Sequence, residues 1–554
     1  MISKRIVPAL LALALAMSAP VAADQKEELL KLRNTTLGLV EALVKEGILS
    51  RERADQLIAE AEASAVAETR QQETEAATPP ADVVRVPYVP DFVREEIKEE
   101  VRAELKDEVV EDVMLQAKEE RWGVPDALPE WTRRFSFNGD LRLRAQADMY
   151  SSDNPENVFV DYNDVNDNKG FSGSFLNATD DRERLRVRMR LGINAMVTDD
   201  LMAGIRIASG SFSNPVSTNE TLDNEFSSGE VVLDRAYFGY DKAINDNNEI
   251  AAWGGRFPNP WFSTDLLWDK DLNFDGAAAT YRYNLGSPGD GNAAADKSEL
   301  FMTLGGFTLD EDAFTSRGDK WLLGGQIGTA FPVGNTSRLK VGLAYYDYHN
   351  IAGKRSPASQ PNKYDSTAPE FVQKGNSMFV ISNDPDNPFE RFGLAADFEI
   401  INLTAEYKMS RFDPYQITLT GDYVNNIGYD ADDIKDRLDG GGMFVNSTVF
   451  TGDPDDEETE GYMAKVTFGW PEVLDTGKWQ LFAAYKHLER DAVVDAFTDS
   501  DFHLGGTNAE GWIVGGSYGL AENTWLKLRY LSADEIEGPP LGIDVLQVDL
   551  NAKF

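Results

Sequence analysis

The stretch RERLRVRMRLGI, residues 182–193, places Arg182, Arg184, Arg186, Arg188 and Arg190 on every second position, with Leu185, Val187, Met189 and Leu191 between them. Successive side chains of a β-strand point to opposite faces, so this segment carries guanidinium groups on one side and an apolar row on the other. A row of like charges needs water and counter-charges, because neighbouring guanidinium groups repel. A candidate acidic partner is PNPWFSTDLLWDKDLNFDG (258–276), which combines Asp265, Asp269, Asp271 and Asp275 with Trp261, Phe262, Leu266, Leu267 and Trp268. A loop this apolar is expected to fold inward and pack rather than stand in water. Facing a basic wall, it would narrow a pore and set a transverse field across it, which is how channels discriminate solutes. The alternative is that these aspartates only cap turns and bind water outside.

Other chemistry is thin. His349, His487 and His503 are the only histidines, and none has a triad partner pattern or metal-ligand spacing, which argues against an enzyme; an outer-membrane lipase is the nearest enzymatic alternative. The glycines of DGGGMF (439–444) lack the strand–helix context of a phosphate loop. DVNDNKG (164–170) offers Asp164, Asn166 and Asn168 at calcium-loop spacing, but Lys169 stands where the turn glycine belongs and Phe175 where the bidentate Glu belongs. No cofactor is expected. Loose divalent-cation binding by DPDDEETE (453–460) or NDPDNP (383–388) is the most the loops suggest, and solvated loop charge is the simpler account.

The elements that must hold the arginine row are strands. In FSFNGDLRLRAQADMY (135–150), Phe137, Leu141, Leu143, Ala145 and Ala147 share one face, and Asp140, Arg142, Arg144, Gln146 and Asp148 the other. Segments of this kind recur to the C-terminus, about sixteen in number, for example RLKVGLAYYDY (338–348), YQITLTGDYV (415–424), GYMAKVTFGW (461–470), TWLKLRYLS (524–532) and DVLQVDLNAKF (544–554). Tight turns at 197–200, 334–337, 410–414 and 521–524 alternate with long polar loops at 150–181, 212–229, 258–275, 349–395 and 425–460. Short turns on one side and long loops on the other fit a transmembrane barrel of antiparallel strands, and closure removes the edges an open sheet would expose. Tyr346 and Tyr348, Tyr415 and Tyr423, and Trp470 and Trp479 are placed as interfacial aromatics on the outer face. If the apolar face meets lipid, the arginines meet the lumen, since each would cost roughly 2–4 kcal/mol at the bilayer midplane. Arg142 and Arg144 on the first strand extend the row into a patch.

The remaining chain sets the compartment. MISKRIVPALLALALAMSAPVAADQ has a basic start, an apolar run and a small-residue site, the pattern of a secretory signal peptide over 1–23, with a retained anchor as the alternative. Residues 24–132 read as helix and proline-containing linker, and 133–554 as the barrel. In the second helical piece Val93, Ile97, Val101, Leu105, Val109 and Val113 recur every fourth residue, a narrow stripe suited to an α-helical coiled-coil stalk in the periplasm; a single solvated helix is the bland alternative. There is no cysteine in the 554 residues, so no disulfide supports the fold. The formal net charge of -41 argues against nucleic acid or acidic lipid as a charge-driven partner.

The segments VLDRAYFGY (232–240), WGGRFPNPWFSTDLLWDKDLNFDGAAATYRY (253–283), the terminal VDLNAKF and the stalk-like LVEALVKEGILSRERADQL resemble the putative porin family of Gram-negative outer membranes. The resemblance implies a barrel in the outer-membrane lipid that lets small solutes diffuse, assembled as a homotrimer. It points to Arg256, Asn259, Pro260 and the Asp265–Asp269–Asp271 group at the constriction. The competing function is a structural tether, a plugged barrel whose stalk links the membrane to the cell wall.

Overall fold

The computed structural model describes residues 130–554 apart from 169, 171–172, 224, 286–297, 312–317, 387–390 and 448–449. The expected signal peptide, helical stalk and linker lie outside these residues; a short 3-10 turn, Glu130–Arg134, leads into the first strand.

Among the described residues sixteen long strands follow one another. They are β1 (Phe135–Tyr150), β2 (Arg182–Met196), β3 (Leu201–Ser209), β4 (Val231–Asn245), β5 (Asn248–Pro258), β6 (Asn273–Asn284), β7 (Glu299–Asp310) and β8 (Lys320–Val333). The second half comprises β9 (Ser337–His349), β10 (Phe398–Phe412), β11 (Tyr415–Asn426), β12 (Glu460–Gly469), β13 (Trp479–Leu488), β14 (Ala509–Ala521), β15 (Thr524–Glu535) and β16 (Gly542–Lys553). Each is antiparallel to the next, and β1 also pairs with β16 from Asp140↔Lys553 to Tyr150↔Ile543, so the sheet closes into a barrel. The last residue completes the seam: Gly139 and Phe554 exchange backbone hydrogen bonds of 2.8 and 3.0 Å. A Cβ on Gly139 would stand 2.6 Å from the Phe554 ring, which is why a glycine sits there.

The two faces are inverted relative to a water-soluble sheet. Leu141, Leu143, Leu185, Ile205, Leu304, Ile327, Leu343, Leu528 and Leu550 are exposed on the outside, while Arg144, Gln146, Thr303, Asn402, Thr404, Gln547 and Asp549 are buried within. An exposed apolar band around a closed barrel is what hydrocarbon covers, and a ring of this strand number encloses space for water. Aromatic clusters mark both ends of the band. Tyr415 lies 5.7 Å from Trp470 and 5.4 Å from Trp479 near the short turns, and Tyr485 lies 5.0 Å from Trp512 toward the long loops.

The expected outward placement of Tyr346 and Tyr348 is wrong. Both are buried inside, Tyr346 edge-on to Trp261 at 5.2 Å and to Trp268 at 5.4 Å. Its neighbour Tyr345 is the outward ring, donating to Glu399 at 2.8 Å. With tyrosines on both parities, alternation cannot choose between the faces.

A second core lies within the long-loop end of the barrel. Ile351, Val372, Met378, Phe379, Ile381, Phe392 and Leu394 of the 350–397 loop join Ile434, Leu438 and Met443 of the 427–459 loop against wall residues Phe257, Phe307, Phe398 and Ile400. Short strands Ser377–Val380, Phe392–Leu394, Met443–Val445 and Thr451–Gly452 knit these loops into a small sheet.

Candidate functional site

The pairing of β1 with β2 sets the charged wall. Asp140 stands opposite Arg190, Arg142 opposite Arg188, Arg144 opposite Arg186, and Gln146 opposite Arg184. Like charges directly opposite would destabilise a bare hairpin, so carboxylates must intervene. Asp140 accepts from Arg188 at 2.8 Å and Arg190 at 2.7 Å, and Asp148 pairs with Arg184 at 2.5 Å. Arg144 is held between Asp549 of β16 at 2.7 Å and Asp501 at 2.8 Å. The fifth member of the row, Arg182, is half exposed at the rim, 4.0 Å from Asp223.

The 259–272 loop between β5 and β6, the third long connection, turns into the barrel. Asn259 opens it by accepting the backbone N–H of Trp261 at 2.8 Å, and Phe262 exchanges bonds of 2.9 and 2.8 Å with the Gln326 side chain of β8. Trp261 enters a niche that glycines leave open. A Cβ on Gly324 would approach its ring to 2.8 Å and one on Gly305 to 3.2 Å. Trp261, Leu266, Leu267, Trp268 and Leu272 are all buried, worth roughly 1.5–3 kcal/mol each in apolar burial. This apolar seat presents the acidic edge to the arginine wall of β2: Asp271 lies 3.0 Å from Arg190 and 3.5 Å from Arg188 and also accepts from Thr218. Burial alone would raise the Asp271 carboxyl, but Arg188, Arg190 and Arg142 bring it below the ordinary range. Asp265 pairs with Lys270 at 2.5 Å. Asp269, pushed well up by burial and by the charges of Asp271 and Asp499, accepts the N–H of Asp271 at 2.7 Å and of Ser500 at 2.9 Å.

The last of those contacts belongs to a loop that alternation did not single out. Residues 489–508, between β13 and β14, also fold inward and lock onto the third loop. Asp269 N–H bonds Phe497 O at 2.8 Å, and Thr498 Oγ1 donates to Leu266 O at 2.9 Å. Asp501 from this loop then bridges Arg144 of β1 and Arg529 of β15, and Gln547 of β16 donates to it at 2.8 Å. Its carboxyl is driven well below the usual range, because Arg144, Arg529 and Arg142 outweigh its burial. Lys465, Lys486, Lys527 and Arg529 complete the inner wall; their parity within YMAKVTF, FAAYKHL and TWLKLRY was available once the outer face was known.

Arg142, Arg144, Arg184, Arg186, Arg188 and Arg190 thus share one wall and Asp271 is brought to it, whereas Asp265 pairs within its own loop, Asp269 faces the 489–508 loop, and Arg256 is not part of the wall. Its strand neighbour Phe257 is buried inside, so Arg256 takes the opposite parity, pairing with the half-exposed Asp275 at 2.5 Å. The calcium-like stretch is a short helix, Tyr162–Asn168, in which Asp164 accepts from Asn168 at 2.6 Å and Asn166 accepts the N–H of Phe392 at 2.8 Å. Among the described residues no group of three or more His, Cys, Asp or Glu is placed to hold a metal ion.

A closed sixteen-strand barrel with an apolar exterior, a charged interior and an infolded third loop has the architecture of a bacterial outer-membrane pore. The chain belongs to the putative porin family, whose pattern it matches over residues 33–554, and it is an outer-membrane channel protein. No curated protein sequence matches it. Among solved structures it is similar to OmpT, in-vitro folded, trimer form, of Vibrio cholerae (11% identity, 76% of this chain and 99% of that one, TM-score 0.37). It is also similar to the outer membrane channel DcaP of Acinetobacter baumannii (13% identity, 76% and 97%, TM-score 0.30) and to Salmonella typhi OmpF (11%, 76% and 97%, TM-score 0.36).

Proposed function

We propose that the barrel carries small hydrophilic solutes by passive diffusion past a constriction formed jointly by the arginine wall of β1 and β2 and the acidic third loop folded against it. The observation that supports this most is the ion pairing of Asp271 with Arg188 and Arg190, which holds the acidic infolded loop against the basic wall. Opposed charges at a narrowing orient polar solutes and reject apolar ones. Mature protein is proposed to assemble as a homotrimer, with residues 24–132 as its periplasmic stalk.

Single-channel recording in planar bilayers tests this. A steady open state is expected, and replacing Arg184, Arg186 and Arg188 together by Glu moves the reversal potential in a salt gradient toward cation preference. Unchanged reversal potentials refute the constriction. Silence of the wild type would favour the tether instead.

A further inference from the structure

Seven guanidinium groups of the inner wall, Arg142, Arg144, Arg184, Arg186, Arg188, Arg190 and Arg529, share five carboxylates, Asp140, Asp148, Asp271, Asp501 and Asp549. The surplus is not spread evenly. Among the described residues Arg142 and Arg186 have no carboxylate partner within ion-pair distance. Arg142 donates only to the side-chain oxygen of Asn219, and no hydrogen bond of the Arg186 side chain is found. The Nε of each is buried without an acceptor. The two residues are diagonal neighbours across β1 and β2, a relation that puts Cα atoms roughly 7–8 Å apart. Further along the same wall, Lys465 and Lys527 are likewise in no ion pair among the described residues, and both ammonium groups lie over Phe482, at 5.2 and 5.5 Å.

Burying a charged donor without a partner costs several kcal/mol, so this pair does nothing for the fold. Its unused donors suit an acceptor that arrives from solution. Two forked guanidinium groups on diagonal positions of one wall suit a small solute carrying two oxyanion groups, each taken by a charge-assisted contact. The acidic outer loops do not cancel this preference, since exposed charges are screened within ~8 Å at physiological salt.

We propose that Arg142 and Arg186 form a binding station for small organic dianions within the pore, an inference that rests on the channel reading above. The test uses the full chain in planar bilayers, with succinate as the dianion and acetate as the monoanion. Wild type is expected to prefer chloride over potassium and to be blocked by succinate at concentrations at least tenfold below those needed for acetate. Arg142→Gln with Arg186→Gln should weaken the succinate block at least tenfold, weaken the acetate block by a smaller factor, and leave thermal stability equal or higher. If the double variant does not assemble, each single variant should show a several-fold loss. A wild type that conducts yet prefers cations, or a variant whose block is unchanged, overturns the station while leaving the channel. A wild type that never conducts overturns both.

Discussion

Two arcs of the same wall obey one alternation rule and do opposite things. In the arc from β5 to β9 the inward positions toward the long loops include Phe257, Phe274, Gly305, Phe307, Gly324 and Tyr346, and these receive Trp261 and Trp268 of the third loop. From β12 through the β16–β1 seam to β2 they hold arginine, lysine, glutamine and aspartate, and there the infolded loops contribute aspartates to ion pairs. The first arc fastens the loops by excluding water. The second keeps charge that carboxylates satisfy in part and that water or an ionic solute completes. Position along the strand decides inside from outside, and side-chain type then decides whether the inside is plugged or passable.

The largest effect should come from undoing the apolar arc. Trp261→Ala empties the niche beside Gly305 and Gly324 and should cost roughly 3–5 kcal/mol, read by urea unfolding in detergent, with noisier and larger channel currents. In the charged arc, Asp501→Asn deprives Arg144 and Arg529 of a shared partner and should cost about 3 kcal/mol. Unchanged stability there would mean water replaces the carboxylate. Smaller still, Gln326→Ala removes both bonds to Phe262, about 1 kcal/mol each, and should raise current fluctuations without altering ion preference.

The loop junction adds a pH dependence. Burial, assisted by the Asp491 charge, pushes the buried Asp495 carboxyl up to about 7, while its carbonyl accepts from Gln373 at 2.7 Å. A carboxyl raised in the folded state stabilises below its unfolded value near 4, and that contribution is lost as pH rises through about 7. Proteolytic protection of the 489–508 loop should therefore fall between pH 5 and 8 relative to Asp495→Asn. The difference between the two proteins separates Asp495 from His503, whose buried ring is shifted down and acts in the opposite direction.

Much of this was legible in the residues. Arginines with strict period two declared a strand and, once lipid was assigned to Leu185, Val187 and Leu191, a wall facing inward. DLLWDKDL showed an infolded loop because it carries too much apolar surface for water. Arg256 was set at the constriction by resemblance and not by counting faces, and the buried Phe257 beside it puts it on the other parity. The 489–508 loop escaped because its apolar residues, Val493, Val494, Phe497, Phe502 and Leu504 among them, are scattered between aspartates with no strand or helix period; only the packing of Phe497 on Trp268 and Tyr348 shows their purpose. Arg142 and Arg186 were visible as cations, but which cations lack partners depends on strand register, and register is a property of the closed barrel.

The alternation that puts guanidinium groups in water and aliphatic groups in hydrocarbon is open to direct measurement, because the chain has no cysteine to interfere. Single variants Arg186→Cys and Val187→Cys, reconstituted in bilayers, should respond oppositely to a small charged thiol reagent. Arg186→Cys is predicted to react within minutes and change the current, whereas Val187→Cys stays silent to it and reacts only with a lipid-soluble reagent. Rapid aqueous labelling at 187 with none at 186 would contradict the account.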